Sequence, residues 1–323
     1  MAIKTNTYLH YDTKGVREDL SNLISNIAPT ETPLLTMAGT GPKVKNVLFE
    51  WQTDSLATPD LANARVEGED YDSVGLQAST PTVRLGNYVQ ISSKSAIVSG
   101  TNQETEKAGR GNDEMPYQLS KRSKELKRDM ESILLDNQGA VAGSSAVARK
   151  TASLLAFLKT NVSMGAAPGA NPVYTNIPTQ PRVDGVQRAF TEILLKAVVQ
   201  QVYISGGEVN TIMLGPAQKQ VFSTFAGIAA QRYNAEGAKA STVISAVEIY
   251  VSDFGNLHAV PNRFQRNRDA FLLDKSLFEI RKLRDFKIEP LAKTGDAEKK
   301  LLLNEWGLCV KNEAGLGLVA DLT

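Results

Sequence analysis

Few residues of this chain have the types and spacing that catalysis or metal binding requires. The two histidines are His10 and His258, and neither lies at ligand spacing from another histidine or from the single cysteine, Cys309. A zinc site needs several such ligands at short, regular spacing, so we expect no metal site. Nucleophile-elbow, Walker A and H-E-x-x-H motifs are also absent from the sequence. We therefore predict no catalytic residues.

Two further patterns invite a chemical interpretation, and we interpret both as structural. Glu50-Trp51 and Glu305-Trp306 could supply a general acid and a general base. Packed tryptophans beside a surface charge are the simpler interpretation. The run GLGLVA at residues 315–320 imitates a dinucleotide fingerprint but is not followed by the helix and strand that such a site needs. We expect no cofactor and no enzyme, and keep an α/β enzyme with a scattered active site as an alternative.

The overall charge limits the kinds of partner. The 323 residues include 36 basic and 35 acidic side chains, a formal net charge of +1, whereas a bulk cationic nucleic-acid binder is far more basic. A single cysteine cannot form an intrachain disulfide, and Cys309 fits a small buried hydrophobic position. No stretch resembles a signal peptide or reaches the roughly 18 apolar residues of a membrane span. We expect cytoplasmic synthesis and no membrane partner.

With no catalytic site expected, the N-terminal third is the most informative part of the chain. Helical spacing over residues 19–27 stops at Pro29, within a leading arm of residues 1–45. Strand-like runs at 47–54 and 82–92 flank a long polar stretch, which predicts an extended β-hairpin over residues 46–94. This hairpin has too few apolar residues to build its own core, so we expect it to lie on another subunit.

The tip of this hairpin is acidic. Residues 54–79 contain six acidic residues against one basic residue, a net charge of −5. The charge either keeps a solvated loop soluble or steers the tip onto a basic patch of a neighbour. We predict inter-subunit contacts by the tip residues Arg65, Glu67, Glu69, Asp70 and Asp72. The candidate basic partners are Arg281, Lys282 and Arg284, or the basic residues of segment 121–128.

A long amphipathic helix is predicted over residues 113–138. Its apolar face comprises Leu119, Leu126, Met130, Ile133 and Leu134. The opposite face is basic, and a basic helix face is usually a solvated one. If the helix lines a DNA-filled cavity, these side chains meet phosphate instead. The candidate interior, DNA-facing residues are Lys121, Lys124, Lys127 and Arg128.

The remaining segments alternate helix and strand. We predict a helix over residues 184–205, strands over 211–214, 243–252 and 257–260, and a mostly β C-terminal segment after residue 270. That segment contains separate strand-like runs at 278–281 and 286–288 and a turn at 294–296. The order of elements favours an α+β protein whose first and last parts share one sheet.

Several of these segments resemble a known family. The runs DLSNLI at 19–24, IAPTETPL at 27–34, FEWQTDSL at 49–56 and residues 299–317 are similar to major capsid proteins of tailed phages with the Hong Kong 97-type fold. The resemblance covers nearly the whole chain. It implies an N-terminal arm (1–45), an extended loop (46–94), a peripheral domain (95–182) with spine helix 113–138, an axial domain (183–270) and return strands of the peripheral domain (271–323).

The resemblance also implies a function and partners. It implies self-assembly through hexamers and pentamers into an icosahedral shell around double-stranded DNA, a portal protein, a virion location and synthesis in the host cytoplasm. Some family members crosslink subunits through a lysine of the extended loop. This chain has no lysine between Lys45 and Lys94, so non-covalent contacts are expected. Only about 45 residues precede the hairpin, so a separate scaffold protein or none is expected, and a decoration protein is possible. An encapsulin-like cargo shell is the alternative with the same fold.

Overall fold

A computed structural model describes residues 31–64, 66–68, 81–105, 107, 113–225 and 249–323. Within these residues, helices combine with two-, three- and six-stranded sheets, in agreement with the predicted α+β class. The predicted helix over 19–27 and the first part of the predicted strand 243–252 lie outside the described residues.

The helices of the described residues include one long member. Their bounds are α1 Pro33–Met37, α2 Gly100–Glu104, α3 Glu114–Leu135, α4 Leu154–Phe157, α5 Glu192–Ile204 and α6 Pro216–Phe222, followed by a 3₁₀ helix at Glu313–Gly315. The strands are β1 Leu48–Thr53, β2 Val83–Tyr88, β3 Gln90–Ser99, β4 Val162–Ser163, β5 Thr211–Leu214, β6 Ile249–Ser252, β7 Gly255–Pro261, β8 Ala270–Leu273, β9 Phe278–Pro290, β10 Ala297–Val310 and β11 Gly317–Val319.

A three-stranded antiparallel sheet joins the first and last parts of the chain, as the sequence predicts. Its order is β3-β10-β9, and β10 pairs with β3 from Ala297–Ser99 to Trp306–Gln90. Helix α3 packs on one face, where Met115 clusters with Ala96 and Val98 of β3. Trp306 is fully buried beneath it and donates its indole N–H to Ser92 Oγ at 3.0 Å. The apolar stripe of α3 and the alternation of β3 thus bury the same interface.

The six-stranded sheet carries the second core. Its order is β4-β11-β8-β5-β7-β6, and helices α5 and α6 supply buried residues such as Val198, Val202 and Phe222. Strands β5, β8 and β11 are buried along their whole length, which explains their continuous apolar runs. Strand β11 lies within the GLGLVA run, and the glycine pattern permits close packing there, because Gly317 lies against Val198 and Val202 of α5.

Three predicted elements are wrong in extent. The helix predicted over 184–205 begins only at Glu192, because preceding amides bind elsewhere: Gly185 donates to Asp321 Oδ1 and Arg188 to the carbonyl of Asp321. The two runs 278–281 and 286–288 are one strand, β9, held along its length by β10. The run 82–92 divides between β2 and β3, which belong to different sheets.

Candidate assembly surfaces

The hairpin predicted for residues 46–94 is present as β1 paired antiparallel with β2, from Leu48–Tyr88 to Thr53–Val83. Its root is held from three sides by Asn87, which is fully buried. The Asn87 amide donates to the Leu308 carbonyl at 2.7 Å and to Thr151 Oγ1 at 3.0 Å, and its oxygen accepts the Ala152 amide at 2.9 Å. These buried bonds fix the direction in which the hairpin leaves the body.

Beyond its root, the described part of the hairpin loop is exposed. Residues 54–64 and 66–68 are all solvent-exposed, among them the predicted tip residue Glu67. Three apolar side chains share this exposure, with Leu56 at 99%, Leu61 at 101% and Val66 at 77%. The other predicted tip residues, Arg65, Glu69, Asp70 and Asp72, lie outside the described residues. Apolar residues thus accompany the acidic ones, a feature that counting charges did not reveal.

The predicted basic partners of the tip lie together on β9, and each has a carboxylate of its own chain. Arg281 pairs with Glu279 at 2.8 Å, Lys282 with Asp285 at 2.9 Å and Arg284 with Glu305 at 2.7 Å. A docking tip has to share or displace these partners, and its docking there stays a prediction.

Glu305 is buried, so the sequence interpretation of Glu305-Trp306 as packing beside a surface charge is wrong in its second half. The carboxylate is only 4% exposed and binds both Arg284 and Arg149. Glu50, in contrast, lies in the exposed hairpin and pairs with Arg84. The two carboxylates therefore have separate, structural partners. Sequence could not separate these environments, because both residues precede a tryptophan in a strand.

The predicted basic face of α3 is exposed at three of its four positions. Lys121, Lys124 and Lys127 are exposed, and no ion pair joins them to a carboxylate within the described ranges. Arg128 is half-buried, with its guanidinium 5.4 Å from the centre of the Phe264 ring. Three lysines thus form the available cationic surface, and Arg128 contributes mainly to packing.

Glu131 was missed by sequence reasoning, because it lies among the polar residues of α3 with no motif around it. It is fully buried and faces the N-terminus of α1. Its carboxylate accepts the amides of Leu34 and Leu35, each at 2.8 Å, and the Asn262 side-chain amide at 2.6 Å. Burial raises the pKa of Glu131 although these hydrogen bonds oppose the shift. The residue caps α1 from another helix and so holds α1 against α3.

A second unpredicted cluster holds the C-terminus. Asp321, fully buried and with a positive φ of 60°, accepts hydrogen bonds from the Gly165 and Gly185 amides and from Arg182 and Arg268. These contacts keep the pKa of Asp321 below its ordinary value against the opposing effect of burial. Nearby Asp269 lies 3.6 Å from Arg182, and burial raises its pKa to about 6. The cluster ties three segments together that are distant in sequence.

Other chemistry is not supported within the described ranges. No group of three or more histidine, cysteine or acidic side chains there could hold a metal ion, and no helix there is long and apolar enough to cross a membrane. Cys309 is buried, as predicted, and burial raises the pKa of its thiol to about 12. A groove of about 470 Å³ lies between α1, α3 and β9, with Lys127 and Lys282 among its lining residues.

Comparison with known proteins gives a consistent picture. The major capsid protein of Escherichia phage Phieco32 is 30% identical over 351 residues, which cover 97% of this chain and 96% of the relative. Among solved structures, the capsid asymmetric unit of cyanophage A-1(L) aligns with a TM-score of 0.67 at 14% identity, covering 95% of this chain and 97% of that one. The holo-SrpI encapsulin complex of Synechococcus elongatus aligns at 0.57 and 10% identity, covering 94% and 92%. At such identities these structures show the fold alone.

The match to a protein family distinguishes between a phage capsid and an encapsulin-like shell. The family described as SU10 major capsid protein matches residues 3–323. The encapsulin shares only the fold, whereas the phage relative shares nearly a third of its residues along almost the full length of both chains. The chain therefore belongs to the SU10 major capsid protein family, and it is a structural subunit of a phage capsid rather than an enzyme.

Proposed function

We propose that non-covalent contacts of the N-terminal arm and the extended loop join this capsid subunit into hexamers and pentamers of a closed icosahedral shell around double-stranded DNA. The observation that supports this most directly is the β1–β2 hairpin. It has a buried polar root at Asn87 and an exposed loop with apolar residues. A monomeric soluble protein gains nothing from such a loop, whereas many weak copies of one contact stabilise a lattice.

The proposed division of labour follows the family organisation. We assign residues 1–45 to the N-terminal arm, 46–94 to the extended loop, 95–182 with α3 to the peripheral domain, 183–270 to the axial domain and 271–323 to return strands of the peripheral domain. The three-stranded sheet with α3 supports the peripheral assignment. Strands β8 and β11 of the last segment pair within the six-stranded sheet, so the C-terminal segment belongs to both parts.

The DNA contact proposed here is non-specific. Lys121 and Lys124 lie on the face of α3 that points away from its sheet, and Lys127 lies at the flank of that face, beside the groove between α1, α3 and β9. With a formal net charge of only +1 on the whole chain, this lysine row gives one surface a local positive character. Lysines at that position bind phosphate without reading bases. We assign this side of the subunit to the shell interior.

The further partners are also proposals. A portal protein is required by a shell that is filled with DNA through one vertex. A separate scaffold or decoration protein is compatible with the chain. Synthesis in the host cytoplasm before assembly into the virion fits the single buried cysteine, which needs no oxidising compartment.

Expression of the full chain followed by electron microscopy tests the function. We expect closed shells that a denaturing gel resolves into one band near 35.0 kDa, because the loop has no lysine for a covalent crosslink. A dispersed monomer would contradict the shell, and a covalent ladder would contradict the non-covalent hold. Virions should protect DNA from nuclease, whereas the encapsulin-like alternative predicts a packaged protein and no protected DNA.

A further inference from the structure

The groove between α1, α3 and β9 is apolar at its floor and cationic at its edge. Its volume is about 470 Å³. The buried residues Met130 and Ile280 form part of its lining, together with the half-buried side chains of Leu35 and Phe286. This volume lies within the range of roughly 300–1,000 Å³ that is typical of ligand pockets. The groove is therefore large enough to receive side chains of a binding partner.

Hydrogen bonds hold the walls of the groove in place. On one side, Glu131 accepts two backbone amides of α1. On the other side, the Ile280 amide donates to the Gly39 carbonyl at 3.2 Å, and the Ile280 carbonyl accepts the Gly41 amide at 2.9 Å. A site that is formed in advance avoids most of the ordering cost of binding. A partner can therefore enter this groove with little rearrangement of the subunit.

Two lysines make the edge of the groove positive. Lys127 is exposed and has no ion pair within the described ranges. Lys282 pairs with Asp285 at 2.9 Å, and its ammonium group lies 5.6 Å from the centre of the Phe286 ring. The charged residues of the lining are thus two cations and one anion. Lys124, one turn before Lys127 on α3, extends the positive surface beyond the groove.

This combination of apolar floor and positive edge selects the chemistry of a partner. DNA phosphates would use the lysines but leave the apolar side chains uncovered. A purely apolar segment would cover the floor but leave Lys127 without a counter-charge. A helix with one apolar side that is flanked by acidic residues satisfies both parts of the groove.

We propose that the groove between α1, α3 and β9 binds an acidic amphipathic helix of a second protein that is present inside the shell during assembly. This inference rests on the proposed function, because Lys127 lies at the flank of the surface that we assign to the shell interior. Apolar side chains of the helix contact Leu35 and Phe286, and its carboxylates bind Lys127 and Lys282. A scaffold-type partner thereby gains a defined contact on the subunit.

Other segments of this chain match the groove less well. Residues 1–30 contain three basic and three acidic side chains, so charge does not direct them to a cationic edge. The loop residues Leu56, Leu61 and Val66 of a second copy have acidic neighbours, but they are five residues apart. At about 100° per residue, this spacing distributes them around a helix instead of along one side. Both segments are occupants that the experiment has to exclude.

Peptide binding to the purified, dispersed full-length chain tests the proposal. The probe is a fluorescent synthetic helix of leucine and glutamate, with the leucines along one side, and its counterpart has lysine in place of glutamate. Lys127→Glu alters the edge of the groove and Leu35→Gln alters its lining. Lys121→Glu is the matched control, because Lys121 is also exposed on α3 but does not line the groove. Circular dichroism verifies that each variant is folded.

We expect the glutamate peptide to bind the parent chain and Lys121→Glu alike, and to bind Lys127→Glu and Leu35→Gln about tenfold more weakly. The lysine peptide should bind Lys127→Glu more tightly than the parent chain, a reversal that misfolding of the variant cannot produce. No binding of the glutamate peptide to the parent chain, or an equal loss in Lys121→Glu, would overturn the proposal. Absence of shells in electron microscopy would instead contradict the proposed function, since the binding assay does not require shells.

Alkylation of an introduced cysteine identifies other occupants of the groove. Thr36→Cys lies at the groove, Val173→Cys is an exposed control elsewhere, and the native Cys309 is buried. Both introduced cysteines should react equally fast without peptide. With the glutamate peptide at about ten times its Kd, Thr36→Cys should react about tenfold more slowly. Slow reaction of Thr36→Cys in the dispersed chain without peptide would assign the groove to the chain's own residues. Slow reaction only in shells would assign it to a second copy, and either result would overturn the proposal.

Discussion

Replacing Glu131 by glutamine tests how α1, at the end of the proposed N-terminal arm, is held against α3. The carboxylate accepts three hydrogen bonds, from the backbone amides of Leu34 and Leu35 and the side-chain amide of Asn262. Glutamine has nearly the same shape but only one acceptor oxygen. Its best orientation keeps the bonds to Leu34 and Asn262 and turns an N–H toward the Leu35 amide, so that one buried donor loses its partner.

The expected size of this loss follows from the structure. A buried donor without a partner costs about 1–3 kcal/mol. The charged carboxylate is itself penalised, because burial raises the pKa of Glu131. The neutral amide recovers part of that penalty, and we expect a net loss of about 2 kcal/mol. At roughly 1.4 kcal/mol for each factor of ten, local opening of α1 becomes about 30-fold more frequent.

Hydrogen exchange on peptides that cover residues 33–38 measures this opening. The exchange of the Leu34 and Leu35 amides should accelerate about 30-fold in Glu131→Gln. Glu125→Gln is the matched control, since Glu125 lies on the same helix and its ion pair among the described residues is with the half-buried Arg122 at 2.6 Å. Unchanged exchange in Glu131→Gln would refute the capping role. So would equal acceleration throughout the chain, which would indicate global rather than local destabilisation.

Three further predictions concern the other charged clusters. Burial raises the pKa of Asp269 from 3.8 to about 6, so the free energy of unfolding should fall as pH rises from about 4 to 6. In urea titrations, Asp269→Asn should lose this dependence on pH. An unaltered pH dependence in the variant would show that Asp269 is not its source. Asp321→Ala removes the carboxylate 3.0 Å from buried Arg182 and should lower the free energy of unfolding by about 3–5 kcal/mol in the same assay. A decrease below about 1 kcal/mol would argue against the stabilising role of the Asp321 cluster. The proposed DNA-facing lysines are Lys121, Lys124 and Lys127. Replacing any one of them by glutamine should reduce the slope of the logarithm of the DNA-binding constant against the logarithm of the salt concentration by about 0.9. An unchanged slope would show that the lysine does not contact DNA.

The elements that sequence predicts well are those whose pattern is set locally. The apolar stripe of α3 buries one side of the helix, so periodicity identifies it. The hairpin strands were found for the same reason, and their antiparallel register confirms the pairing. The turn at residues 294–296, with Gly295 at a φ of +87°, links β9 to β10 as predicted.

The misses occur where a distant segment decides the local structure. Residues 184–191 have helical character in sequence, yet their amides bind Asp321 and other distant groups, and the helix starts late. The charged stretch 281–285 suggests a break in a strand. Backbone pairing with β10 instead continues β9 through this stretch, and Arg284 binds Glu305 of that strand. No single-sequence pattern contains the partner, so neither outcome was predictable.

Buried charged residues are also hard to predict from sequence. Acidic residues are expected at the surface, yet Glu131, Glu305 and Asp321 are almost completely inaccessible to solvent. Burying a carboxylate is costly unless several donors satisfy it, and donors for all three come from segments more than 15 residues away. Such residues join segments that have little apolar surface of their own to hold them together.

That use of buried polar groups has a mechanical consequence for a shell subunit. An arm or loop that contacts neighbours cannot also be packed along its length against its own body, so only its root can set its direction. Asn87 fixes the root of the hairpin through Leu308, Thr151 and Ala152. Glu131 fixes the root of the arm at α1. Hydrogen bonds depend on direction and apolar contacts do not, so in the proposed assembly polar roots aim the projecting segments while exposed apolar loop residues contact the neighbour. Mutations at the roots should therefore produce misassembled shells, whereas mutations of the exposed Leu56 and Leu61 should produce correctly shaped shells that dissociate more readily.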